Sequence, residues 1–234
     1  MVDGQVARLG AKANPETAAI QVDGRRVAVR DPIAPIYLLL NKPIGYTCTA
    51  HDAHAERTVY DLLKNVNERI FTVGRLDEDT AGLLLLTNDG NFAYRLAHPR
   101  FHLPKTYQAV VRGIISPWAL TDLRCGILLE DGMTAPADAQ LIETDRKRNV
   151  SVIQLTLYEG RNRQVRRMLN AVGFKALALT RMRFGNLTLT GLAPGTYRKL
   201  QSGEVKELMM LAAQHEANAE IPPQAEMPCD EANE

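Results

Sequence analysis

Residues 73–90, VGRLDEDTAGLLLLTNDG, decide how the chain is read. Three carboxylates, Asp77, Glu78 and Asp79, stand in a turn just before an uninterrupted apolar run at 83–86. Asp and Gly are common in turns because they tolerate the backbone angles, so a solvated loop is the plain reading. Arg75 tilts it, because an arginine beside an acid in a strand-ending loop is a common way to position and ionise a catalytic carboxylate. The run at 83–86 predicts a buried strand which, with RIFTV at 69–73, would hold the acid loop rigid.

Outward from this stretch the pattern alternates between strands and amphipathic helices. IYLLLNKP (36–43) and RIFTVGRLD (69–77) predict strands, and TVYDLLKNV (58–66) a helix. NFAYRLAHP (91–99) reads as a helix ending before Pro99, KTYQAVVRG (105–113) as an alternating strand and PWALTDLRCG (117–126) as a helix. APADAQLIET (135–144) and NVSVIQLTLYEG (149–160) read as paired strands. RNRQVRRMLNAVG (161–173) follows as a helix, with Val165, Met168, Leu169 and Val172 at i, i+3, i+4 and i+7 and Gly173 as its stop. Strands joined by helices and hairpins imply an α+β fold on a mostly antiparallel mixed sheet flanked by helices.

At the amino end, QVARL (5–9), AAIQVD (18–23) and RRVAVR (25–30) read as short strands, too little chain for an independent core. DPIAP (31–35) looks like a linker. The expected organisation is a small module over 1–33, a main domain over 36–213 and a tail over 214–234.

With 234 residues, 45% hydrophobic and 24% charged, the composition is that of an ordinary globular chain. Its apolar runs fall far short of the roughly 20 residues that span a bilayer, and MVDGQVARLG has no secretory h-region. A soluble cytoplasmic protein with no membrane segment is expected. Cys48, Cys125 and Cys229 lack C-x-x-C spacing, which fits a reducing compartment.

The net charge of +1 hides a division: from His215 onward there are six acids and no Lys or Arg, so residues 1–214 carry +7. The acidic tail is expected to be disordered. In the body, Arg161, Arg163, Arg166 and Arg167 fall within seven residues, and Lys175, Arg181 and Arg183 follow. Such clustering points to nucleic acid, with Arg161, Arg163 and Arg167 as candidate phosphate contacts. At about 100° per residue Arg166 lies near the edge of the apolar face, either snorkelling to solvent or pairing with a buried carboxylate such as Asp77. CTAHDAH (48–54) and HPRFH (98–102) have no zinc spacing with four firm ligands, so no metal is expected.

Four segments in order, LLLNKPIGYTCT (38–49), VGRLDEDTAGLLLLTNDG (73–90), HPRFHLPKTY (98–107) and YEGRNRQVRRMLNAVGF (158–174), resemble the pseudouridine synthases of the RsuA/RluB/RluE/RluF family. RMRFGNLTLTGLAPGTYRKLQSGEV (181–205) extends the similarity. The resemblance implies isomerisation of uridine in ribosomal RNA or a pre-ribosomal particle: the bond from C1′ to N1 breaks, the base rotates, and C5 is joined to C1′. It implies no cofactor or metal.

In the resemblance, Asp77 matches the catalytic aspartate, acting either as nucleophile at C1′ or as the base that removes the 2′ proton. Arg166 matches the arginine that pairs with this aspartate, and Tyr107 the tyrosine packed against the target base, a stacking worth roughly 1–3 kcal/mol elsewhere. Arg75 resembles the arginine that fills the space left by the flipped nucleotide, and Leu200 either an apolar residue lining the pocket or, more plainly, a core leucine; Lys105 reads as a phosphate contact and not a catalyst. Glu78 and Asp79 are then turn residues. The likeness to RluB-type sequences, with Arg163 where small-subunit types tend to carry histidine, favours large-subunit (23S) RNA. GQVARLGAKANPETAAIQVDGRRV (4–27) resembles the second half of a small RNA-binding domain of the ribosomal-protein type, without its helical first half. A monomer is the default expectation.

Two rivals stand beside this reading. A non-catalytic rRNA-binding or assembly protein of the same fold would also need a basic face, and a glycosidase would use Asp77 with Asp79. Neighbours in sequence seldom flank one bond, which weighs against the second.

Overall fold

The computed structural model describes residues 1–14, 17–27, 34–49 and 56–219. His51, Asp52 and His54, most of the expected linker and the segment 220–234 lie outside them. The chain divides into two compact units, Met1–Pro35 and Ile36–Glu234.

In the first unit β1 (Gln21–Val22) and β2 (Arg25–Arg26) form a two-stranded antiparallel hairpin about Asp23 and Gly24. QVARL is not a strand, contrary to expectation: Val2 bridges Gln5 and Ile20, while Val6 and Leu9 are exposed with no face to bury.

The second unit is a nine-stranded mixed sheet with helices packed on it. Its elements are β3 (Tyr37–Lys42), β4 (Phe71–Val73), β5 (Ala81–Thr87), α1 (Gly90–Ala97), β6 (Lys105–Arg112) and α2 (Pro117–Cys125). There follow a small separate hairpin of β7 (Leu128–Leu129) and β8 (Gly132–Met133), then β9 (Asp138–Asp145), β10 (Val150–Leu157), α3 (Gln164–Ala171), β11 (Ala176–Phe184), β12 (Leu187–Thr188), β13 (Tyr197–Lys199) and α4 (Ser202–Ala219). Strand order is β13-β3-β5-β11-β6-β10-β9, with β4 on β5 and β12 on β11. Among these pairings only β5 with β11 is parallel.

β5 is buried on both faces, which is why its sequence is an unbroken leucine run instead of an alternation. Leu83 and Leu85 pack with Phe92, Phe101, Phe184 and Leu208, under α1 and α4. Leu84 and Leu86 face the other way, against Leu38, Leu40, Val59, Leu63, Ile70 and Leu76. Each fully buried leucine contributes on the order of 1.5–3 kcal/mol relative to exposure, so this strand is a fixed base. A third cluster lies between the β6–β10 half of the sheet and α2 and α3, with Val165, Met168 and Leu169 on the helix side, as the spacing predicts.

β5 and β11 pair over only two positions, Thr180 with Ala81 and Arg181 with Gly82. Gly82 has φ +111, and a Cβ there would lie 2.3 Å from the Arg181 carbonyl oxygen. Only glycine permits this approach. Beyond the crossing β5 is taken over by β4, so the connecting loop 74–80 stands where the sheet changes partner.

Two further expectations change. TVYDLLKNV forms only a single 3-10 turn, Val59–Leu62: Asp61 caps its start through the Thr58 amide, and Leu63 leaves helical geometry at once. The segment expected to be disordered from 214 begins as helix, since α4 continues to Ala219.

Candidate active site

The loop 74–80 is held by its backbone. Leu76 N donates to Cys48 Sγ at 3.4 Å, Gly45 N to Glu78 O at 2.9 Å, and Thr80 N to Asp77 O at 3.0 Å. Beneath it lies Lys42, a fully buried lysine at the end of β3. Its Nζ donates to the main-chain oxygens of Thr80 (2.8 Å), Asp77 (3.0 Å), Pro43 (3.1 Å) and Glu78 (3.4 Å). Burial lowers its pKa, while the neighbouring Cys48 and the three loop acids oppose that shift. The sequence reading missed Lys42, although a lysine closing an apolar strand and followed by proline was a signal for it.

Asp77 is thereby turned into a cavity of about 400 Å³. The lining includes Arg75, Leu76 and Thr80 from the loop, Tyr107 from β6, Leu179 from β11, and the turn from Glu159 to Val165 that opens α3. The structure therefore brings Asp77, Tyr107, Arg75, Arg161 and Arg163 around one space.

The expected pair of Asp77 with Arg166 is not formed. Arg166 gives Nη2 to the main-chain oxygen of Asp79 (2.8 Å) and Nη1 to that of Ala176 (3.3 Å), and its Nε lies 3.4 Å from Asp79 Oδ2. The guanidinium that reaches Asp77 is that of Arg163, with Nη1 3.6 Å from Oδ2. Arg163 caps α3 in a left-handed conformation, φ +47, which swings it over the loop, whereas Arg166 one turn further in meets the far end of the loop. Nor is Asp79 a mere turn residue: it accepts from Arg163 at both oxygens, Nη1 to Oδ1 at 3.1 Å and Nη2 to Oδ2 at 2.9 Å. These hydrogen bonds from Arg163 are the main reason its pKa is lowered, with partial burial opposing and Arg166 adding to the effect.

Other expected contacts are also redirected. Arg161 donates to the main-chain oxygens of Asp131, Gly132 and Met133 and pairs with Glu159 and Asp131. Arg167 grips Asp131 with both Nη atoms, at 2.9 and 2.8 Å. The two arginines thus anchor the β7–β8 hairpin, and Arg167 first among them brings the Asp131 carboxyl down to about 2. Lys105 is half-buried instead of a surface phosphate contact: Nζ donates to Leu103 O at 2.9 Å and stands 5.5 Å from the Phe184 ring centre. Leu200 is not among the cavity lining but packs with the cluster under α1 and α4. Among the described residues no group of three or more His, Cys, Asp or Glu could hold a metal ion.

A mixed sheet whose parallel crossing carries an acid loop, facing a strand tyrosine and an arginine-rich helix start, is the arrangement of a pseudouridine synthase. The chain belongs to the RNA pseudouridylate synthase family, whose profile matches residues 36–171. It is 47% identical over 219 residues, 93% of this chain and 88% of the relative, to the ribosomal large subunit pseudouridine synthase B of Bacillus subtilis (strain 168). It is 38% identical over 208 residues, 87% of this chain and 85% of the relative, to the ribosomal small subunit pseudouridine synthase A of Yersinia pestis. A solved pseudouridylate synthase superposes with a TM-score of 0.68 at 29% identity, covering 89% of this chain and 87% of that one. The protein is an RNA pseudouridine synthase, an isomerase.

Proposed function

We propose that the protein isomerises a uridine of large-subunit ribosomal RNA, with Asp77 as the acid that acts on the sugar. The observation that carries the catalytic part is the placement of Asp77 and Tyr107 on one cavity of about 400 Å³, with Arg75 on the same lining. Chemistry at C1′ requires the base to leave its stack, at a cost of a few kcal/mol. Tyr107 offers the extruded uracil a ring to pack on, and Arg75, exposed on the loop, is the side chain that would fill the space the base leaves. Asp77 then either attacks C1′ and displaces N1, giving an ester that C5 displaces after the base turns, or takes the 2′ proton as the bond to N1 breaks and returns it when C5 bonds to C1′. In both routes the C5 proton leaves and N1 is protonated in the product. Arg166 supports the loop through Asp79 and does not touch Asp77.

The choice of large-subunit RNA is supported by 47% identity to an enzyme named for that subunit, against 38% to one named for the small subunit. The likeness of 4–27 to half of an RNA-binding module supports a first unit that helps to hold RNA, ahead of the catalytic unit. A monomer working on ribosomal RNA in the cytoplasm completes the reading. Among the described residues no helix is long and apolar enough to cross a membrane. The test is incubation of the purified protein with unmodified 16S and 23S transcripts, followed by position-resolved detection of pseudouridine. A new pseudouridine in 23S RNA is expected; modification confined to 16S RNA would overturn the substrate assignment.

A further inference from the structure

The arginines that crowd the α3 segment in sequence are taken up by acids of the fold, Arg161 and Arg167 by Asp131 and Arg163 by Asp79. A second set of cations gathers at the far end of the same strands. Arg112 closes β6, Lys175 precedes β11, and Arg146, Lys147 and Arg148 lie in the turn between β9 and β10. Backbone pairing brings them together. Val150 stands opposite both Arg112 and Asp145, Arg112 N donates to Lys175 O at 3.0 Å, and Gly113 N donates to Asn149 O at 2.8 Å.

The turn keeps its shape without its cationic side chains. Asp145 Oδ1 accepts from the amides of Lys147 and Arg148, each at 3.0 Å, and Asn149 turns the chain back in a left-handed conformation, φ +51. All five cations are exposed. Arg148 lies 3.7 Å from Asp145, whereas among the described residues Arg112, Arg146, Lys147 and Lys175 have no ion pair and no side-chain hydrogen bond. Val111 is buried toward α2 and α3, so Arg112 points out of the opposite face of the sheet. Beside the turn runs a shallow groove of about 540 Å³ with Ile114 and Leu141 in its wall, 40% and 44% exposed. The acids on this groove are Glu143 and Asp145, which leaves the end of the sheet with a positive excess.

We propose that this end of the sheet is a second RNA-binding surface, which takes phosphates of the substrate backbone away from the uridine in the cavity. Uncommitted cations beside an exposed apolar wall fit a sugar–phosphate chain, whose phosphates pair with Lys and Arg while its sugars lie against carbon. β6 carries Tyr107 at the cavity and Arg112 at its far end, about 17 Å away at the rise of an extended strand. The two contacts thus sit on one rigid element. Phosphate contacts fix register and orientation without reading sequence, so a grip here sets the angle at which a folded RNA presents its uridine. Two grips on one RNA also give tighter binding than either alone.

The inference rests on the RNA pseudouridine synthase activity, and not on the choice of subunit or the role of Asp77. The test therefore uses whichever ribosomal transcript the wild type modifies. Its affinity is measured against salt for the wild type, Arg146→Ala/Lys147→Ala, Arg146→Glu/Lys147→Glu and, as a charge-matched control at the opposite edge of the sheet, Lys199→Ala/Lys206→Ala. The first variant should bind roughly ten-fold more weakly at physiological salt, with the slope of log K against log salt flattened by about 1.4–1.8 for two lost contacts. The second should bind more weakly still, and both should melt as the wild type does. A photo-reactive side chain in place of Lys147 should cross-link to nucleotides separated from the modified uridine, and one in place of Lys206 should not.

An unchanged slope in Arg146→Ala/Lys147→Ala overturns the proposal, and is the result expected if the surface serves an acidic protein instead. Equal flattening in the Lys199→Ala/Lys206→Ala control also overturns it, since the effect would then be that of net charge and not of a surface. So does the absence of any cross-link from position 147 to bound RNA.

Discussion

The buried ammonium of Lys42 donates to the main-chain oxygen of Asp77 at 3.0 Å, so a charge on β3 grips the loop that carries the acid without touching the acid's side chain. Hydrogen bonds to a charged group contribute about 1.5–3 kcal/mol, and stranded buried carbonyls cost about as much. Lys42→Met should therefore lower unfolding free energy by about 2–4 kcal/mol in chemical denaturation. Loss of loop placement should lower kcat by about a hundred-fold. A variant as stable and as active as wild type would show that Lys42 does not support the loop.

The arginines of the α3 segment divide in their effect on salt dependence. Arg161 and Arg167 are spent on Asp131 and its hairpin and Arg163 on Asp79, but Arg163 is the most exposed of the three and so the one able to exchange its carboxylate for a phosphate. For single-stranded RNA each phosphate that a protein cation neutralises steepens the slope of log K against log salt by about 0.7. Arg163→Ala should flatten the slope by roughly that amount and Arg167→Ala should leave it unchanged. A flatter slope for Arg167→Ala would show that it leaves Asp131 for the backbone.

Lys105 has its ammonium pKa brought down to about 8, chiefly by burial and secondarily by repulsion from Arg181. Between about 8 and the ordinary 10.5 the unfolded chain binds more protons than the folded one, so this residue's contribution to stability rises with pH across that window. Below about 8 it is charged in both states and the full cost of burial is present. Lys105→Met should accordingly exceed wild type in stability at neutral pH, with the gap closing as pH approaches 10.5. A gap that stays constant across that range would contradict the assignment of a buried charge.

Gly82 meets Arg181 backbone at the β5–β11 crossing, with a built Cβ only 2.3 Å from oxygen. Gly82→Ala should destabilise by about 3 kcal/mol or more, since both the positive φ and the approach to backbone oppose it. Melting at the wild-type temperature would mean that the crossing can open.

The parts of the fold that were legible in the sequence are those where burial writes a run or a period. The leucines of β5 read as a buried strand, and Val165, Met168 and Leu169 as one side of α3. The motifs named Asp77 and Tyr107, and both line one cavity. What the sequence hid depends on direction in space. A helical wheel places Arg163 and Arg166 but cannot say which of two acids on a distant turn each one meets, and Asp79 took both. Lys42 binds main-chain oxygens, which leave no trace in residue type, and the partners of Arg161 and Arg167 lie about thirty residues upstream in a two-residue strand pair. TVYDLLKNV had helical composition, but Leu63 leaves helical geometry after one turn.

The most direct test of the central claim is tritium release from RNA carrying 5-tritiated uridine, measured with wild type and Asp77→Asn at matched RNA occupancy. Forming the C5–C1′ bond expels the C5 hydrogen, so the wild type should release tritium, while Asp77→Asn should release none above background. Its RNA affinity should stay within a few-fold, because Asp77 acts after binding. Release by Asp77→Asn at a rate comparable to wild type would contradict the account.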